Sequence, residues 1–153
     1  MRRLAEALHT LAITLWVGGL FTIGYLVVPV LFSQLGDRAM AASLAGELFK
    51  WLSWVGFACA AYLLLFLSVR RGAASVGSGE FRLVLAMLIL TCAGHFGVAP
   101  VIAQLKAEAM PLPVMESVLR DRFIAWHGVS RILYLAESLL GVWLVLLQSR
   151  DRK

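Results

Sequence analysis

The stretch "LAEALHTLAITLWVGGLFTIGYLVVPVL", residues 4–31, decides the fold. It is an almost unbroken apolar run with a single acid, Glu6, near its start. A helix needs about 20 mostly apolar residues to cross the hydrocarbon core of a bilayer, and this run exceeds that. Arg2 and Arg3 ahead of it give the opening the look of a secretory leader. The apolar stretch continues to Leu31 with no convincing cleavage site, which predicts an uncleaved membrane anchor.

Three further stretches meet the same length test, at about 51–69, 81–103 and 123–147. The composition agrees: of 153 residues, 61% are hydrophobic and only 15% charged. Soluble domains run at about 45–50% apolar and about 25% charged. One core of this size cannot hide the excess from water. The predicted fold is therefore all-α, an integral membrane four-helix bundle forming a single transmembrane domain over 1–153. Its first partner is the lipid bilayer.

The net charge of +5 does not point to nucleic acid, because the basic residues sit at segment ends rather than on an aromatic-laced patch. They instead set an orientation. Arg2, Arg3, Arg70, Arg71, Arg82, Arg150, Arg152 and Lys153 fall on one side, and outnumber Arg38, Lys50, Lys106, Arg120 and Arg122 on the other. This bias predicts both termini and the 70–82 turn in the cytoplasm. Trp51, Trp54, Trp126 and Trp143 lie near expected boundaries and read as interfacial anchors, whereas Trp16 is mid-span and is expected to pack inside.

Pro29 and Pro100 come late in the first and third spans, where either a kink or a helix end is expected. "RRGAASVGSGE" (70–80) reads as a short flexible turn. "KAEAMPLPVMESVLRDR" (106–122) reads as two helical pieces parted by Pro111 and Pro113. No strong internal repeat is evident. The small-residue pairs Gly56–Ala60 and Ala93–Gly97 suit close helix packing.

The fourth span is the unusual one. On a helical wheel His127, Ser130, Arg131, Tyr134, Glu137, Ser138 and Gly141 share an arc of about 120°. Lipid does not solvate such groups, so the arc is expected to face the bundle interior or a hydrated cavity. Counting about 1.5 Å per residue from the expected span ends gives two layers. An outer layer would hold His95, His127 and Arg131. An inner one would hold His9 and Glu137, with Glu6 as a further candidate, and with Glu137 accepting a hydrogen bond from His9 or pairing with a cation such as Arg131.

Each residue has a plainer alternative. His95 also reads as a hydrogen-bonded structural histidine, and Arg131 as a structural or snorkelling cation rather than a contact for an anionic ligand. "CAGH" brings Cys92 and His95 close on one helix, and with His127 they would suit copper(I), Cys59 being at similar depth. Buried cysteines are more often small hydrophobes. No HExxH, phosphate loop, dinucleotide fingerprint or recognisable nucleophile triad occurs, so the residues assign no enzyme class.

"ALHTLAITLWVGG", "PVLF", "AP" at 99–100 and "FIAWHG" at 123–128 together resemble the bacterial relatives of human transmembrane protein 205, a four-span family of unknown function. The resemblance covers nearly the whole chain and implies transport or sequestration, without established catalytic residues. The opening also resembles copper-resistance D-type membrane proteins and the haem-binding protoporphyrinogen oxidases of bacteria. In the latter, His9 matches a first-span haem ligand, while the lysine of their later span is missing here. The sequence thus predicts a polar intrabundle site that binds or moves a small solute or metal ion. The alternatives are a haem-binding redox protein and a homo-oligomeric structural module.

Overall fold

The computed structural model of the chain describes residues 2–150. Arg152 and Lys153, counted above for orientation, lie outside the described residues. The elements are α1 (Arg2–Phe21), a π-helical turn (Thr22–Val27), α2 (Val28–Gln34), α3 (Arg38–Arg71), a 3-10 turn (Gly72–Gly77), α4 (Gly79–Cys92), a second π-helical turn (Ala93–Val98), α5 (Ala99–Glu108), a 3-10 turn (Val114–Glu116) and α6 (Arg120–Arg150). No strand occurs among the described residues.

Four helical stretches are long and apolar enough to cross a membrane: Arg3–Gln34, Arg38–Gly77, Gly79–Glu108 and Arg120–Ser149. Only 17–33% of each apolar stretch is buried inside the chain. The remainder is a surface made for lipid. The spans outrun the sequence-based limits because capping residues lie beyond the apolar runs. Asp37 accepts from Ala39 N–H at 2.7 Å and Met40 N–H at 3.2 Å, which starts α3 thirteen residues before Trp51. At its other end Gly72 adopts φ +57°, a conformation that glycine alone takes without strain. Ser78 caps α4 through Phe81 N–H at 3.3 Å.

Pro29 and Pro100 neither end nor sever their helices. A proline lacks the N–H of the helical ladder, and its ring crowds the carbonyl four residues back. Both chains widen just before it, over Thr22–Val27 and Ala93–Val98, and each wide turn is followed by one residue and then the proline. Side-chain insertion and π-turns are recognised ways to take a helix past such a site.

These matched turns expose a repeat that residue identities conceal. The two π-turns, the two prolines, and the pair His9 and Glu80 are all related by a shift of 71 residues. The same shift carries the buried residues Ala12, Ile13, Trp16 and Leu20 onto the buried Leu83, Val84, Met87 and Thr91. In the partner spans, the buried Gly56, Ala60 and Leu63 correspond in depth to the buried Glu137, Gly141 and Leu144, and Leu67 corresponds to the half-buried Gln148. The chain is two like-oriented helix pairs. α1 packs on α3 and α6, and α4 packs on α3 and α6, so α1 and α4 stand at opposite corners.

The core forms in layers across this square. Ile13, Leu63, Val84 and Leu144, one from each span and all fully buried, make an apolar layer. Above it Trp16 and Met87 are large where Ala60 and Gly141 are small. Gly141 lies against Val17 and Met87, and a Cβ at Gly56 would meet the Trp16 indole nitrogen at 2.9 Å. Gly56–Ala60 therefore serves packing as expected. Gly97 is exposed, and no atom lies within 4 Å of a Cβ built on it, so Ala93–Gly97 forms no such contact within the chain.

Candidate functional site: buried polar groups within the bundle

At the end of the bundle that carries the start of α1, the 72–77 turn and the end of α6, His9 Nε2 lies 2.6 Å from Glu80 Oε1, with both residues buried. The contact crosses the diagonal of the square. Gln148 Nε2 approaches His9 Nδ1 at 3.5 Å and Thr10 Oγ1 at 3.3 Å. With the Gln148 amide donating to Nδ1, the ring hydrogen sits on Nε2 and is donated to Glu80. Phe66 packs against the imidazole at 4.9 Å, and Tyr62 donates to Ala5 C=O at 3.0 Å alongside. Glu6 is exposed and pairs with Arg70 at 3.5 Å, outside this cluster.

Glu137 stands higher, on the far side of the Ile13–Leu63–Val84–Leu144 layer. It is buried, and Thr91 Oγ1 lies 2.8 Å from its Oε1. The Trp16 indole N–H also donates to it. Among the described residues no basic side chain forms an ion pair with it. Thr91 Oγ1 is at the same time 2.9 Å from Met87 C=O. A hydroxyl has one hydrogen. That one hydrogen is shared between the Glu137 carboxyl and the Met87 carbonyl, with Thr91 as the donor to both.

The pairing of His9 with Glu137, expected from depth counting, is thus corrected. The count began at Phe123, but α6 runs to Arg150, so Gln148 is the α6 residue level with His9. Glu137 is eleven residues from Gln148, or about 16 Å along the helix. Glu80 was missed because it lies one residue outside the expected third span. Its signal was available: His9 precedes Pro29 by the same interval as Glu80 precedes Pro100.

The polar arc of α6 divides rather than facing inward throughout. Tyr134, Glu137, Ser138 and Gly141 turn into the bundle, whereas His127 and Arg131 are exposed. Arg131 makes no ion pair with Glu137. His127 stacks on Phe123 at 5.7 Å, with Arg131 and Lys106 as its charged neighbours. His95, half-buried, meets the rings of Trp54, Phe57 and Phe96 at 5.6, 5.5 and 4.7 Å. An aromatic cluster, not a polar layer, holds it. Among the described residues no three His, Cys, Asp or Glu side chains come together as a metal-holding group, so Cys92, His95 and His127 do not form one. Cys59 is buried, Cys92 half-buried, and both are free thiols. Both His9 ring nitrogens face protein groups, Glu80 on one side and Gln148 on the other.

Tyr134 is the remaining polar group of the arc. Its hydroxyl donates to Leu20 C=O at 2.5 Å and accepts from Gly24 N–H. Those two backbone groups would bond each other in an uninterrupted α-helix. The tyrosine has entered the ladder at the first π-turn, and only glycine admits it: a Cβ on Gly24 would overlap its ring. Phe49 meets the ring edge-on at 5.2 Å and Tyr25 lies at 6.0 Å.

Fold and site together define a multi-pass helical membrane protein with ionisable groups enclosed between its spans. Within that class, the family is shown. The chain belongs to the family described as Domain of unknown function (DUF4149), whose model matches residues 11–111, from the middle of α1 to just past α5. No curated protein and no solved structure matches the chain.

Proposed function

We propose that this protein binds and moves a small cation, a proton in the first instance, through a polar site centred on Glu137 in a bacterial inner membrane. The observation that carries the reading is the company Glu137 keeps. An intramembrane carboxyl is costly, and it is ordinarily offset by a basic partner or used for transport. Here it has neutral donors only, Thr91 and Trp16, which supports an exchangeable proton on the carboxyl. The His9–Glu80 pair, beyond the apolar layer, is the second titratable station on the bundle axis. The positive bias at that end supports its placement on the cytoplasmic side.

The test is proton flux into liposomes holding purified protein and an entrapped pH dye, driven by a potassium diffusion potential. Flux above that of protein-free liposomes is expected, with a loss of about tenfold or more in Glu137→Gln, which keeps the shape and removes the titration. Equal flux in wild type and Glu137→Gln would overturn the reading.

A further inference from the structure

Glu137 is closed off in both directions along the bundle. Toward the His9 end stands the four-way layer of Ile13, Leu63, Val84 and Leu144. Toward the other end, one turn along α6, stands Tyr134, flanked by Tyr25 of the first span and Phe49 of α3. A hollow between α5 and α6, lined by Gln104, Glu108, Arg122 and Trp126 among others, lies elsewhere. The two closures differ in kind. The apolar layer is packed side chain against side chain and has no polar group to release. Tyr134 is held by two hydrogen bonds to a stretch of backbone whose regular ladder is already interrupted.

We infer that Tyr134 is the gate of the Glu137 site, opening it toward the Pro29 end when its hydroxyl leaves the first π-turn. This rests on the reading of Glu137 given above. The motion is a local one. When the hydroxyl withdraws, Leu20 C=O and Gly24 N–H are the natural partners of each other, so the backbone closes its own ladder and no buried group is orphaned. The tyrosine then swings away from Glu137 with its ring still among aromatic neighbours. π-turns inside α-helices concentrate at functional sites for the same reason: they offer two hydrogen-bonding registers of similar energy. The equivalent turn of the third span has no such device. His95 occupies the place of Gly24 there, and its ring lies against aromatic rings rather than in the ladder.

The experiment reads access to Glu137 from water. Full-length protein in liposomes is treated with a water-soluble carbodiimide and glycine ethyl ester, and modification of Glu137 and Glu80 is followed by peptide mass spectrometry. Tyr134→Phe removes the hydroxyl and keeps the ring; Gly24→Ala displaces the ring. Both are expected to speed Glu137 modification by about tenfold or more, the scale of a lost buried hydrogen bond, with Glu80 unchanged. Unchanged Glu137 modification in both variants would overturn the gate, and so would Glu80 rising in step, since that reports general loosening. Either result leaves the proton-flux comparison of wild type and Glu137→Gln to stand or fall separately.

Discussion

The two halves of the bundle share a skeleton and differ in what they hang on it. Each has a span with a π-turn before a proline, packed on an unbroken span. Yet the first half carries His9, Leu20, Gly24 and Gly56 where the second carries Glu80, Thr91, His95 and Glu137. The apolar positions hold the skeleton, since the central positions Ala12, Ile13, Trp16, Ala60 and Leu63 and their counterparts Leu83, Val84, Met87, Gly141 and Leu144 are all buried. The polar positions have parted company: the His9–Glu80 divergence makes a complementary contact, a histidine meeting a carboxyl, and Gly24, unlike His95, makes room for Tyr134. Repetition supplies the frame, and asymmetry within the repeat supplies the chemistry.

That comparison is broken most forcefully at the diagonal. Removing one partner of a buried hydrogen bond leaves the other unsatisfied, at about 1–3 kcal/mol, and losing the imidazole also leaves a cavity against Phe66, at about 2 kcal/mol or more, so His9→Ala is expected to show the largest loss in unfolding titrations in mild detergent. Because the two positions are related by the repeat, exchanging them with His9→Glu and Glu80→His together is expected to recover most of the loss. A double variant no more stable than the single one would show that the halves are not interchangeable there.

The π-turns give the next contrast. Gly24→Ala inserts a methyl group into the Tyr134 ring, and overpacking of this kind costs about 1–3 kcal/mol. His95→Ala, at the equivalent position, removes only half-buried ring contacts and is expected to cost about 0.5–1.5 kcal/mol. The same titrations check the order, and a larger effect at His95 would reverse the functional ranking of the two turns. The smallest effect belongs at the exposed Glu6–Arg70 pair, where Glu6→Gln is expected to cost about 0.2–1 kcal/mol, and less in high salt.

The skeleton was legible in the sequence because its cause is bulk hydrophobicity over long windows. Four spans, their number and order, and the burial of Trp16 all follow from that. The ends of the spans were not, because Asp37 and Ser78 cap helices in polar stretches that hydropathy ignores. The repeat escaped notice because it lives in which positions are buried, and Trp16 and Met87 or Leu20 and Thr91 share a place without sharing a chemistry. The residues of the candidate site were half-legible. Glu137 and Tyr134 stood out as polar residues on an apolar helix, and both are turned into the bundle. Their partners did not stand out, since Thr91, Gly24 and a backbone carbonyl carry no signature of their own, and an error of one span boundary moved Glu80 out of view.

The short 72–77 turn joins the two helix pairs at the same end of the bundle as residues 9 and 148. Each pair therefore enters and leaves on one side, and a break in that turn would ask no segment to cross the bilayer afresh. Chains cut there and produced as two separate polypeptides are expected to reassemble, with the His9–Glu80 contact among those that join them. The boundary inside this molecule is, in that sense, already drawn where two genes would meet.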